Sequence, residues 1–269
     1  GPSVRKPRWV NQLLYAFTTW RATRQGFDVV HTHENTWCGD IHSIHVKSVR
    51  QDLFGGRTGL ALALRWLKVA TSPRLLTYVL LERARFEARP GRTLVLASEA
   101  MRGPVAQAYP RAAARLEVVT PGVTMADRLP SPAQARERLG LPAQGRLLLF
   151  VANDYARKGL QALLEALQSL PADVGLAVAG KADQEAHFRA QAQRLGIDRR
   201  VHFLGPQADL SPAYAAADLL VHPTREDSFA MVVLEGMAHG LPVVVSAAPW
   251  CGFSALLRDQ IKLQHYHDD

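Results

Sequence analysis

Two clusters of charged side chains in the second half of this 269-residue chain suit chemistry on an anionic polyol. The first is ANDYARKG, residues 152–159, where an apolar run ends at Asn153 and Asp154. Arg157, Lys158 and Gly159 then open a helical stretch. Two fixed cations beside a helix start favour phosphate, because unpaired backbone N–H groups and the positive end of the helix dipole add to their charge. A solvated helix start is the plainer reading of the same residues. The second cluster is REDSFAMVVLEGMAHG, residues 225–240, with Glu226, Asp227 and Glu235. Asp227 and Glu235 would lie roughly 12 Å apart in unbroken helix, but Asp227 is expected in the loop before it. Carboxylates at two depths of one cleft accept hydrogen bonds from hydroxyls. Asp227 also reads as a helix cap; that reading leaves Glu235, among apolar residues, unexplained. A metal site is disfavoured, since no His or Asp partner stands nearby at ligand spacing. A third segment, AGKAD at 179–183, ends another apolar run, and Gly180 would let a flat ring approach the backbone.

Short apolar runs alternating with helical spacing must position these groups. Strands are expected at 146–153, 175–180, 201–205, 218–223 and 241–246. Helices are expected at 158–170, at 184–196 with Gly196 as its stop, at 210–217 with Ser211 as N-cap, and at 228–240. This is the pattern of a doubly wound α/β domain with a parallel sheet, whose ligands bind at the carboxyl ends of the strands. The first half is similar but weaker, with strands expected at 27–33, 42–46, 92–98 and 115–122 and helices over LALRWL and LLTYVLLERARFEA. The Pro- and Ala-rich stretch 124–145 reads as a linker and short helix, dividing the chain into domains 1–123 and 124–269.

Composition narrows the function classes. Apolar content of 48% and charged content of 21% fit a globular protein, and no apolar run reaches the ~18 residues of a membrane span. Residues 1–128 hold 19 Lys and Arg against 9 Asp and Glu, whereas residues 129–269 hold 13 against 15. The basic half suits an anionic membrane surface, a phosphorylated acceptor or nucleic acid. Nucleic acid is disfavoured, as no zinc finger, stacking motif or base-reading basic helix is present. The stretch 5–24 mixes aromatic, apolar and basic residues; it reads as a packed domain helix or as one that seeks a membrane surface. Cys38 and Cys251 show no zinc or CxxC spacing and read as free thiols of a cytoplasmic protein. GxGxxG, GxxxxGK[ST] and GxSxG are missing, which removes the main support for a dehydrogenase, a P-loop ATPase or an α/β-hydrolase.

The segments FVANDYARKGLQALLEAL, VHFLGPQADLSPAYAAADLLVHPTREDSFAMVVLEGMAHGLPVVVS and APWCGFSALL, in this order, resemble the nucleotide-sugar domain of the retaining glycosyltransferases of family 4. FDVVHTHENTWCGDIHSIHVKSVR and LLERARFE resemble the lipopolysaccharide-core glucosyltransferase branch. The resemblance implies the α/β GT-B fold, two Rossmann-like domains with parallel sheets facing across a cleft. The family's E-x7-E pair falls on Asp227 and Glu235, so the first acid is Asp here, and a family glycine between them is Ala230. The family's histidine falls on His33, with His31 expected to point the other way along the strand and His45 a second candidate. Family chains are longer, so both domains are expected to be incomplete, lacking an opening strand with its glycine-rich loop and the last strands and helix.

The implied activity moves a sugar from a nucleotide-diphosphate donor, UDP-sugar favoured, to a glycan or glycolipid acceptor such as lipopolysaccharide core, with retention. It needs no metal and no cofactor, the nucleotide-sugar being a substrate. Arg157 and Lys158 would hold the diphosphate. Glu235 would take the ribose hydroxyls, and Asp227 or Glu226 the donor sugar. Asn153, Gly180 and the backbone of Ser228, Phe229 and Ala230 would line the donor site, and His33 would orient the donor sugar or the acceptor hydroxyl. The implied setting is cytoplasmic, with peripheral contact on the anionic inner face of the membrane. The alternatives are a non-catalytic sugar-nucleotide or glycan-binding module, and a GT-B epimerase or phosphorylase.

Overall fold

In the computed structural model, residues 7–87, 89–124, 129–181, 183–248 and 250–257 are described, together with the backbone of 262–263. The chain divides into two units, residues 1–120 and 121–269.

The first unit begins with α1 (Arg8–Thr23), whose buried Ala16 lets it pack on a later helix. Then follow β1 (His31–Thr32), β2 (Ile41–Ile44), α2 (Val49–Phe54), α3 (Gly59–Ala70), α4 (Pro73–Phe86), β3 (Thr93–Leu96), α5 (Arg102–Ala108) and β4 (Leu116–Val118). The helix that α1 meets is α4. Serines start two of these helices: Ser48 Oγ accepts from Gln51 N–H at α2, and Ser72 Oγ from Leu75 N–H at α4. The four strands lie parallel in the order β1-β2-β3-β4. The expected strand at 27–33 is reduced to two paired residues. Phe27 is 65% and Val29 57% exposed, because β1 is an edge strand whose ladder to β2 covers only His31 and Thr32.

The second unit runs α6 (Pro132–Arg138), β5 (Arg146–Val151), α7 (Leu160–Gln168), β6 (Val174–Ala179), α8 (Glu185–Arg194), β7 (Val201–Gly205), α9 (Ser211–Ala216), β8 (Leu219–His222), α10 (Met231–Ala238), β9 (Val243–Ser246) and β10 (Lys262–Leu263). Residues 125–128 of the expected linker lie outside the described residues. Apolar residues of β5 and β6 are buried almost throughout, and Leu160, Leu163, Leu164 and Leu167 of α7 pack on them as helical spacing requires. Gly196, at φ +68°, closes α8 in the left-handed region. Helix α9 differs from expectation in its cap: Ser211 is already helical, and its N–H is held by Asp209 Oδ1 at 2.9 Å.

The sheet order is β10-β9-β8-β5-β6-β7, all parallel. The chain moves outward from β5 through β6 to β7, then returns beside β5 as β8 and builds the other way. The loops leaving β5 and β8 therefore start from adjacent strand ends at the switch point, where open parallel sheets leave a crevice for ligands.

Candidate functional site

The residues after β5 and those after β8 meet at this switch point. Gly159, the cap of α7, has φ +84°, and a Cβ there would collide with the carbonyl oxygen of Pro223. Only glycine lets the two loops approach so closely. The contact is continued by Arg225 N–H, which donates to Arg157 O at 3.0 Å. It brings Lys158 across to the second loop, where Nζ donates to Glu226 O at 2.9 Å and to Asp227 Oδ2 at 2.5 Å. Both side chains are mostly covered, 16% exposed for Lys158 and 18% for Asp227.

Asp227 uses both carboxylate oxygens. Oδ1 accepts from the N–H groups of Phe229 at 3.3 Å and Ala230 at 2.8 Å, and Oδ2 accepts from Lys158 and lies 3.0 Å from His222 Nε2. Burial pushes its carboxyl up, but the bonds from His222 and Lys158 outweigh that and hold it well below the usual carboxylate range. Its backbone is pinned as well: Asp227 N–H donates to Trp250 O at 2.8 Å, and Gly252 N–H to Asp227 O at 2.9 Å. Phe229 turns inward and meets Phe253 edge to face, with centroids 5.3 Å apart. The segment around Cys251 thus clamps the acidic loop from below. Ser228 is half-buried in the same loop.

Helix α10 begins at Met231, three residues later than the expected 228. The reason is Ala230, which sits at φ +69°, the one non-glycine residue in the left-handed region among the described residues. A side chain there costs roughly 1–2 kcal/mol, so the loop geometry is held against local preference. Glu235, one turn into α10, accepts from Tyr214 Oη at 2.7 Å through Oε2. Tyr214 is buried in α9 and stacks obliquely on His239, 4.8 Å between centroids. Glu235 is thereby aimed by a side chain 21 residues earlier.

The remaining expected donor residues are dispersed. Arg157 is exposed, its Nε 3.5 Å from Asp154 Oδ2, and it stays apart from the Lys158–Asp227 pair. Asn153 Oδ1 accepts from Lys181 N–H at 3.1 Å and ties the ends of β5 and β6 together. Gly180 has φ +113°, and a Cβ there would collide with Ala152 O. Its small size serves strand-to-strand approach, a reason different from the expected room for a ring. Sequence reading passed over His222 and Tyr214. Their signal was the pairing of an acid with a His or Tyr at a neighbouring strand end or helix, which spacing alone does not reveal.

In the first unit, His33 is exposed at the end of β1, and its Nδ1 lies 2.8 Å from His45 Nε2, the rings stacked 5.0 Å apart. Burial and the neighbouring His33 push the His45 imidazole down. His31 does not point the other way. Its ring lies 4.6 Å from that of His33, because residues two apart share a strand face, and its Nε2 meets Ser43 Oγ at 2.7 Å. Arg85 supports this corner from beneath. Buried in α4, it donates to Asn35 Oδ1 at 2.9 Å, to His33 O at 3.3 Å and to Ser43 O, and burial lowers it to about 10. Three residues earlier, Glu82 accepts from Val49 N–H at 2.7 Å, Arg50 N–H at 2.9 Å, Ser48 Oγ at 3.1 Å and Tyr109 Oη at 2.8 Å. The acid and base of LLERARFE are therefore braces for α2 and for the histidine corner. Among the described residues, no group of three His, Cys, Asp or Glu side chains could hold a metal ion, and no helix is long and apolar enough to cross a membrane.

Comparison with known proteins places this geometry. Residues 145–264 match the family described as Glycosyl transferases group 1. Lipopolysaccharide glucosyltransferase WaaG of Escherichia coli K12 is 32% identical over 191 residues, 68% of this chain and 50% of that protein. D-inositol 3-phosphate glycosyltransferase of Salinispora arenicola is 35% identical over 189 residues, 62% of this chain and 42% of that one. The chain thus spans half or less of the length of these relatives. The crystal structure of WaaG, a glycosyltransferase involved in lipopolysaccharide biosynthesis, superposes with a TM-score of 0.79 at 26% identity, over 95% of this chain and 69% of that one. Anabaena HepE in complex with UDP-glucose shares the fold, with a TM-score of 0.66 at 21% identity over 95% and 63% of the two chains.

Proposed function

We propose, for a chain whose residues 145–264 are a glycosyl transferases group 1 domain and whose parallel sheets are those of the GT-B glycosyltransferases, that it transfers a hexose from a nucleotide-diphosphate donor to a glycan or glycolipid acceptor, with retention and without a metal. The observation that carries this reading is the meeting of Lys158 with the Glu226–Asp227 loop at the switch point of the second sheet. A mostly covered ammonium there is a fixed positive charge for a departing diphosphate. The name of the Escherichia coli relative supports a glucosyl donor and a lipopolysaccharide acceptor, and UDP is the favoured nucleotide.

The parts divide the work. Lys158, with Arg157 at the rim, holds the diphosphate and neutralises the charge that grows on its oxygens as the sugar departs. Glu235, aimed by Tyr214, accepts the ribose hydroxyls. Asp227 holds the loop while Lys158 waits, and its Oδ2 becomes available to a sugar hydroxyl when the ammonium turns to phosphate. Glu226, whose carbonyl already accepts from Lys158, is the second reader of that hydroxyl. His33, backed by His45, orients the donor sugar or the acceptor hydroxyl. No protein nucleophile is invoked. The leaving phosphate takes the acceptor proton on the face it vacates, and the rate gain comes from positioning and electrostatics. The protein works in the cytoplasm at the inner face of the membrane, drawn there by its basic first half.

Calorimetry with UDP-, GDP- and ADP-sugars tests the donor site, followed by NMR of the anomer released on slow donor hydrolysis. Saturable UDP-sugar binding with α-anomer release from an α-donor is expected. Binding without any turnover would favour the alternative, a non-catalytic sugar-nucleotide module.

A further inference from the structure

The first unit contains a cavity of about 760 Å³ that is lined by its own residues alone and is separate from the histidine corner. Three guanidinium groups border it: Arg50 of α2, Arg83 of α4, and Arg111 in the short helical turn after α5. Among the described residues, none of the three forms an ion pair within 4 Å or donates a side-chain hydrogen bond. The one acid in the wall, Glu87, is committed elsewhere, accepting from Arg89 Nη2 at 2.8 Å and Nε at 3.2 Å. Three cations thus border one cavity against a single wall acid, Glu87, which Arg89 binds and which Arg83 also feels, so an added anion would relieve their mutual repulsion.

The arrangement is built in part from buried parts. Arg50 has its backbone N–H on Glu82 Oε2 at 2.9 Å, and its guanidinium lies over the Tyr109 ring, 5.4 Å from the centroid. Tyr109 is locked in turn by its hydroxyl on Glu82 and by a parallel stack on Phe86, 4.4 Å between centroids. All three arginines are exposed, and Arg50 is the one whose guanidinium rests on a ring that is itself held in place. Arginine forks match phosphate oxygens. The cavity falls in the range of small-molecule sites and far exceeds a bare phosphate, and Leu80 and Pro110 give it apolar wall for a larger body.

We propose that this cavity binds a phosphomonoester carried on a sugar-sized body, independently of the donor site. The inference does not rest on the transferase reading, since every lining residue belongs to the first unit and the Lys158 cluster belongs to the second.

The test is calorimetry on the full chain with glucose 6-phosphate, glucose and inorganic phosphate, and sedimentation with phosphatidylcholine vesicles with and without phosphatidic acid. Glucose 6-phosphate should bind and glucose should not. The double variant Arg83→Gln/Arg111→Gln, exposed enough to leave the melting temperature unchanged, should weaken that binding at least tenfold. Lys158→Ala should leave it intact. Absence of glucose 6-phosphate binding would overturn the proposal. So would binding lost in Lys158→Ala but kept in the double variant, which would assign the phosphate to the donor site. Capture by phosphatidic acid vesicles alone would overturn the sugar-phosphate assignment in favour of a lipid headgroup.

Discussion

Lys158 Nζ and Asp227 Oδ2 stand 2.5 Å apart, 69 residues distant in the chain. The pair joins the loop after β5 to the loop after β8, and each partner has a second hold: Lys158 on Glu226 O, Asp227 on His222 and two backbone N–H groups. Removing the ammonium therefore leaves a carboxylate that is still partnered. Lys158→Ala is expected to fold normally and to lose about 10²-fold or more in turnover, the usual effect of deleting a charged transition-state donor. Steady-state rates of donor hydrolysis and transfer check it; unchanged turnover would remove Lys158 from the diphosphate.

The bond from Tyr214 to Glu235 makes a separate prediction. Tyr214→Phe keeps the buried ring and its packing on His239 but releases the carboxylate. A net hydrogen bond is worth about 1 kcal/mol, so nucleotide affinity should fall roughly fivefold while turnover at saturating donor stays near normal. Glu235→Gln should weaken nucleotide binding further with the fold intact. Equal nucleotide affinity in both variants, read by calorimetry, would exclude Glu235 from the ribose.

Ala230→Gly should stabilise the protein. The left-handed backbone at 230 is strained by a Cβ, and glycine relieves it at the expense of a more flexible unfolded chain. The expected net gain is on the order of 0.5–1 kcal/mol, seen as a higher urea midpoint at unchanged m-value. A lower midpoint would mean that the Ala230 methyl contributes more packing than it costs in strain.

His42 sets a pH dependence of stability. It is fully buried in β2, and burial followed by the charges of Arg92 and Arg85 lowers it to about 3 from 6.5. Between those values the unfolded state carries a proton that the folded state does not, so stability falls as pH drops below 6.5 and levels off near 3. The loss should reach several kcal/mol. His42→Gln should flatten the pH 4–7 limb of the urea-denaturation profile. A profile identical to that of the parent protein would place the acid sensitivity in other groups. Asp227 acts lower: its depressed carboxyl contributes stability above its ordinary value of 3.8 that disappears only in stronger acid.

Much of the second unit was legible in the chain, for a local reason. A buried strand such as Arg146–Val151 declares itself by an unbroken apolar run, and α7 by leucines three and four apart. Gly196 announces the end of α8 because only a residue without a Cβ takes that conformation easily. In the first unit the same reasoning overran at β1. Phe27 and Val29 look like strand residues, but an edge strand extends only as far as its single neighbour pairs with it.

What the sequence determined by itself was the parallel α/β class, the placing of Lys158 at a helix start and of Asp227 in a loop, each following a strand, and the basic character of the first half. These follow from side-chain period, loop position and charge, which are local or additive along the chain. Tertiary structure alone decided which loops meet. The return of β8 beside β5 brought Lys158 to Asp227, and the packing of α9 on its neighbours brought Tyr214 to Glu235. It also turned the expected free hydroxyl reader at 227 into a carboxylate already holding an ammonium, a histidine and the start of α10. Such partnerships depend on strand order and on contacts many residues apart, which no pattern of neighbouring residues encodes.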